Sequence, residues 1–164
     1  AAATEASELQ LSGLEAPPEA WSAAAIERHR QTLRQRCWQV AGVERQASAL
    51  GRAWHRVRGQ RAGLDALSPL QAVDGLPPGC SARLEPAATL WLRNAHDLRQ
   101  RLLVSELLLE AALFRQESRG GHYRLDAPAA QPFWQRHSLQ QRGQTIRTEA
   151  VGHGGAVQKP TGPL

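Results

Sequence analysis

The chain has no methionine, and among its 20 basic residues only Lys159 is a lysine. Aromatic residues make up 5%, and five of the eight are tryptophan, so aliphatic side chains must build most of any core, which favours helices over a β-sandwich. Cys37 and Cys80 stand alone, with no C-x-x-C and no matching histidine spacing. Neither a zinc site nor a disulfide framework is indicated, and two reduced thiols in the cytoplasm are expected. No long hydrophobic run is present. The richest, Leu102 to Phe114, contains Ser105, Glu106 and Glu110 and would rise about 20 Å as a helix, short of the roughly 30 Å of a bilayer core. It reads as protein interior, and no membrane partner is expected. The opening Ala1-Ala2-Ala3-Thr4 has no basic region followed by an apolar core, so the chain reads as a piece of something longer.

What is present fits one modest domain in 164 residues. Residues 1–20 carry Gly13, Pro17 and Pro18 without periodicity and read as a linker or domain edge. Ser22 has the chemistry of an N-cap, and after it Ile26, Leu33, Cys37 and Val40 recur at helical spacing up to Gly42. A second stripe follows at Val43, Ala47, Leu50, Trp54 and Val57. From Gly59 to Glu85, glycines and Pro69, Pro77 and Pro78 predict an irregular connection with at most a short helix near Ala72.

Pro86 then opens the longest helix, expected to run to about Glu117 with Trp91, Ala95, Leu98, Leu102, Ser105, Leu109 and Ala112 inward and Asp97 paired to Arg101. Ten of the thirteen residues from Leu102 to Phe114 are apolar, so this end needs cover on more than one side. Gly120-Gly121 is expected to cap it. Further on, Phe133 and Trp134 can anchor a short segment, Ser138 to Val151 has the pattern of a small hairpin turning near Arg142-Gly143, and residues 152–164 read as a disordered tail. The expected fold is all-α: an antiparallel three-helix bundle over residues 21–151 with an extended C-terminal tail.

The net charge of +5 is concentrated, with nine arginines between Arg28 and Arg61. That density could attract phosphate backbones, as in a non-catalytic basic helical binding module, but a solvated helical face is the plainer reading and no nucleic-acid partner is expected. No phosphate loop, G-x-S-x-G or H-E-x-x-H is present, and no catalytic, cofactor-binding or metal-binding residue is assigned. The densest chemistry is Glu117-Ser118-Arg119-Gly120-Gly121-His122-Tyr123-Arg124-Leu125-Asp126-Ala127-Pro128, at the exit of the most apolar helix. On spacing alone it can be a capped helix end with local ion pairs.

That run, E-S-R-G-G-H-Y-R-x-D-x-P, resembles a motif in the C-terminal domain of L-aspartate oxidases and their succinate dehydrogenase and fumarate reductase relatives. Three further stretches agree in family order: Leu33-Arg34 with Trp38 and Gly42-Val43-Glu44-Arg45; Leu92-Arg93-Asn94 through Leu102-Leu103-Val104-Ser105-Glu106-Leu107; and Phe133-Trp134 to His137-Ser138-Leu139. Within the superfamily Gly121 and Tyr123 favour aspartate oxidase, whereas Ala127 departs from the aromatic of its D-Y-P triplet. The resemblance implies a parent enzyme that binds FAD and oxidises L-aspartate to iminoaspartate, the first step of quinolinate and NAD synthesis. A succinate dehydrogenase or fumarate reductase flavoprotein is the alternative. It also implies that the catalytic arginines and histidines lie upstream, and that the partners are the FAD-binding domain of the same chain and, through the pathway, quinolinate synthase. This piece is expected to bind no FAD itself, since it lacks the strand, glycine turn and helix unit of a dinucleotide site, and to support the flavin domain through Glu117, Ser118, Arg119, Gly120, Gly121, His122, Tyr123 and Asp126.

Overall fold

The computed structural model describes residues 8–10, for backbone only, and residues 16–151. The expected tail at 152–164 and most of the expected linker lie outside the described residues. Ser22 starts α1 (Ala23–Ala41), its Oγ accepting a bond from the Ala25 N–H at 3.3 Å. Ile26 and Leu33 are buried, and Cys37 and Val40 pack half-buried against the same core. The helix stops at Gly42, where a Cβ would stand 2.7 Å from the Trp38 carbonyl oxygen, so only glycine fits the turn.

α2 (Ala47–Asp65) departs from expectation at both ends. Val43 lies in the link before it and is 81% exposed, so it does not belong to the buried stripe. The helix also runs through Gly59 and Gly63 instead of breaking there. A helical glycine costs about 1 kcal/mol relative to alanine. Leu64, fully buried seven residues after Val57, offsets that by burying a further leucine on the same face.

The connection then forms α3 (Ser68–Asp74), which includes Ala72, and a strand at Ser81–Arg83. Two earlier strands are Glu8–Gln10 and Glu44–Arg45. In chain order these three are β1 (Glu8–Gln10), β2 (Glu44–Arg45) and β3 (Ser81–Arg83), and β1 pairs with β3 in parallel.

α4 (Pro86–Phe114) carries the expected proline in its first turn and the expected stripe: Trp91, Ala95, Leu98, Leu102, Leu109 and Ala112 are all buried, and Ser105 is half-buried. Asp97 and Arg101 pair at 2.8 Å. Trp91 Nε1 donates to the Trp21 carbonyl at 2.7 Å, and Arg30 reaches the Asn94 side chain at 3.1 Å and Asp97 at 3.0 Å, so α1 and α4 start at the same end. α2 runs back between those ends, its Arg61 meeting Glu106 at 2.7 Å and its Asp65 meeting Arg99 at 2.7 Å.

After α4 come β4 (Tyr123–Arg124), a 3-10 turn at Pro132–Trp134, β5 (Arg136–Leu139) and β6 (Arg147–Ala150). β4 pairs in parallel with β2, and β5 and β6 form the antiparallel hairpin, with Gly143 at φ 75° in its loop. Trp134 is buried and meets Phe114 edge to face at 5.3 Å, whereas Phe133 is exposed. The chain is therefore mostly helical with a few short strands. Among the described residues no helix is long and apolar enough to cross a membrane.

Candidate functional site

α4 ends at Phe114, three residues before Glu117, and its last carbonyls face the interior instead of water. Buried carbonyls need donors. Arg124, itself buried, supplies them: one Nη donates to the carbonyls of Ala112 at 3.1 Å, Leu113 at 3.2 Å and Arg115 at 3.0 Å. A guanidinium at a helix C-terminus also meets the negative end of the helix dipole. Gly120-Gly121 therefore does not cap the helix. Arg119 and His122 exchange backbone bonds of 2.8 and 3.0 Å around the two glycines, with Gly120 at φ 56°, the left-handed value that such a two-residue loop demands at its first central position.

This tight loop lets Asp126 reach back to α2. Its Oδ1 accepts from the Ala47 N–H at 3.0 Å and from Arg124 Nε at 3.0 Å, while Arg124 and Asp126 form a second, very short contact through Nη2 and Oδ2. Gln46, at the α2 N-cap position, makes no side-chain cap bond, so Asp126, 79 residues after Ala47, contributes the cap. The bond to Arg124 above all, together with the Ala47 N–H, holds the Asp126 carboxyl down at about 2, against the upward push of burial.

Glu117 has no exposed surface. Its carboxylate accepts from Arg119 Nε at 3.0 Å and Nη2 at 3.1 Å, from Arg115 Nε at 3.0 Å and from the Gln131 N–H at 3.0 Å. Arg119 is the largest cause of its low pKa of about 2, burial opposing. Arg115 also donates to the carbonyls of Arg136 at 3.1 Å and Trp134, tying the 3-10 turn and β5 to the loop. Ser118 Oγ accepts from the Arg124 N–H at 2.8 Å and donates to the Ala127 carbonyl at 2.8 Å.

His122 is held at both nitrogens: Nδ1 lies 2.8 Å from an Arg45 guanidinium nitrogen and Nε2 lies 3.1 Å from the Arg115 carbonyl oxygen. A guanidinium can only donate and a carbonyl can only accept, so the ring is neutral with its proton on Nε2. Burial pushes the imidazole below its ordinary value, the bond to the Arg115 carbonyl opposes it, and the charges of Arg45, Arg124 and Arg115 push the same way as burial.

Of the residues singled out in the sequence, Glu117 and Ser118 are thus buried within this chain's own fold. His122 is half-buried, Asp126 is fixed to α2, and Arg119, Gly120, Gly121 and Tyr123 reach the surface. Arg45 and Arg124, read only as parts of longer stretches, and Arg115 were not assigned to the site, although they join the loop to α1, α4 and the C-terminal hairpin. The available signal was an arginine excess around one glutamate and one aspartate. What the cluster does chemically is bind: its carboxylates are saturated by guanidiniums and N–H groups, leaving none poised as a base. Among the described residues, no group of three or more His, Cys, Asp or Glu is placed to hold a metal ion.

A dinucleotide cofactor such as FAD rests on a strand, a glycine turn and a helix in succession. Gly120-Gly121 instead sits inside a hairpin-like loop with no helix behind it, so the described residues do not fit that group.

Toward the C-terminal half of α4 its outer face carries partly exposed apolar residues, with Val104 64%, Leu107 39% and Leu108 49% exposed. On the same helix nearer its start, Arg93 and Gln100 are exposed and polar.

The family described as fumarate reductase flavoprotein C-term matches residues 86–157, from the start of α4 onward. An L-aspartate oxidase from Synechocystis is 33% identical over 117 residues, 71% of this chain and 21% of that protein. Another, from Nostoc, is 37% identical over 120 residues, 70% of this chain and 20% of that protein. A fumarate reductase (CoM/CoB) polypeptide of Methanothermobacter marburgensis is 43% identical over 51 residues, 31% of this chain and 9% of that protein. The chain spans about a fifth of the length of the two L-aspartate oxidases. No solved structure matches it significantly. Helix α4, the charged loop behind it and these relatives agree that the chain belongs to the succinate dehydrogenase and fumarate reductase flavoprotein superfamily, as the C-terminal domain of such a protein.

Proposed function

We propose that the chain is the C-terminal helical domain of an L-aspartate oxidase, an FAD-dependent enzyme that turns L-aspartate into iminoaspartate at the start of quinolinate and NAD synthesis. Residues 21–151 form the domain, an antiparallel three-helix bundle in which α1 and α4 run one way and α2 the other. The helix-to-helix ion pairs support this arrangement. Its role is mechanical. The partly exposed apolar face of α4 is the observation that carries the reading, because covering Val104, Leu107 and Leu108 with a second surface adds stability. The occupant is the flavin domain of the same parent chain, whose own residues hold FAD and carry out the oxidation. The loop from Glu117 to Asp126 borders the contact: Arg119, Gly120, Gly121 and Tyr123 face outward, and Glu117, Ser118, His122 and Asp126 hold its shape. Quinolinate synthase is a pathway partner of the parent.

The test uses the parent and the chain side by side. The parent should carry flavin and turn over L-aspartate, and the isolated chain should purify colourless and inactive. Turnover of succinate in place of aspartate would assign the parent to the respiratory branch of the superfamily, which the match to a fumarate reductase favours as the second reading. Stoichiometric flavin on the isolated chain would overturn the scaffold role.

A further inference from the structure

Nine arginines lie between Arg28 and Arg61, and the fold sorts eight of them into two groups. Arg30, Arg45, Arg58 and Arg61 are engaged with Asp97, His122, Glu106 and Asp65. Arg28, Arg36, Arg52 and Arg56 have no acidic partner among the described residues, and all four line one groove between α1 and α2. Two hollows of about 290 and 540 Å³ share Thr32, Arg36 and Arg56 and so run into one another. No residue of α4 lines them, so the groove is separate from the apolar face assigned to the flavin domain. No carboxylate lines it either. Glu27, the acid of α1, is bound to Arg30 and Gln31.

The helices therefore hold four guanidiniums against a concave surface with nothing in the described residues to neutralise them. Like charges gathered this way repel, and a bound anion relieves that repulsion. Guanidiniums offer paired N–H donors that match phosphate oxygens two at a time. Arg52 and Arg56 are one helical turn apart, about 6 Å along the axis, and Arg28 and Arg36 about 12 Å. Guanidiniums spread along about 12 Å of helix axis suit a linear anion of repeating charge better than a single small ion. We infer that the α1–α2 groove is a binding site for a phosphate chain, the repeating phosphate of inorganic polyphosphate or of a single-stranded nucleic-acid backbone.

The experiment measures binding of the 164-residue chain to fluorescently labelled inorganic polyphosphate, to a labelled oligothymidylate and to labelled poly-glutamate of similar charge, over a range of salt concentrations. Arg36→Gln with Arg56→Gln should weaken phosphate-chain binding at least about tenfold and lower the salt slope by about two. Arg34→Gln with Arg93→Gln removes the same charge from exposed positions outside the groove and should leave binding within about twofold. If the first pair fails to fold, as judged by circular dichroism, Arg28→Gln with Arg52→Gln tests the same groove. Binding of polyphosphate alone, of the oligothymidylate alone or of both supports the site and names its source. Equal binding of poly-glutamate, equal loss in both pairs of variants, or no binding at low salt would overturn it.

Discussion

Glu117 carries a charge at a position with no exposed surface, which is costly unless every lone pair is used. Arg119, Arg115 and the Gln131 N–H use them. Replacing it as Glu117→Gln should destabilise the fold by about 3 kcal/mol at neutral pH, because two guanidiniums lose the buried counter-charge that both bind. Chemical denaturation would measure this, and a change under about 1 kcal/mol would mean the cluster is dispensable. The same carboxyl is held at about 2 when folded against 4.5 ordinarily. Its contribution is therefore complete above pH 4.5 and lost as pH falls toward 2, and Glu117→Gln should flatten that acid limb. His122 works through the same linkage at higher pH. Its folded pKa lies below its ordinary 6.5, so the unfolded chain takes up a proton that the folded one refuses, and stability should fall as pH drops through 6.5. His122→Gln should remove that dependence, seen as parallel melting curves at pH 8 and pH 5.5. An unchanged dependence would place its origin at another histidine.

Among the elements, α4 was legible along most of its length because its spacing, its opening proline and its Asp97–Arg101 pair are all local features. Its buried stripe makes Leu98→Ala or Leu109→Ala costly, roughly 2 to 5 kcal/mol each, whereas Val43→Ala in the exposed link should cost under about 0.5 kcal/mol. Thermal melts of the three variants would check the contrast, and equal losses would remove the distinction between stripe and link. α1 was equally legible, from Ser22 to Gly42. What the sequence hid was non-local. The cap on α2 is Asp126, and the donors for the last carbonyls of α4 come from Arg124, so neither helix end carries its own stop or start signal. Gly59 and Gly63 read as breakers because a local rule has no knowledge of the burial of Leu64 beyond them. In the loop the residue types were plain, and their roles were not. Ser118, a nondescript serine in sequence, bridges the Arg124 N–H to the Ala127 carbonyl only because the Gly120 turn folds the chain back.

At the scale of the whole molecule, ion pairs tie α1 and α2 to α4, while Val104, Leu107 and Leu108 on the outer face of α4 stay partly exposed. Leu107 and Leu108 are adjacent and Val104 lies one turn below Leu108, so the three make one contiguous apolar patch. Covering the less than half of each leucine that is still exposed gains about 0.6 to 1.5 kcal/mol, so the patch favours α4 meeting a second surface. In the isolated chain that surface is lacking, and the expected outcome is concentration-dependent self-association and binding of a hydrophobic dye. Val104→Glu with Leu108→Glu should abolish both without lowering the melting temperature, since neither side chain reaches the core. In the parent the same pair should lower melting temperature and flavin retention, because a buried, unpaired carboxylate now faces the flavin domain. Sedimentation velocity on the chain and flavin fluorescence on the parent read the two halves of this prediction. A monomeric chain that binds no dye, with a parent indifferent to both glutamates, would mean that α4 faces solvent in the complete protein and that the flavin domain is met by another face of the bundle.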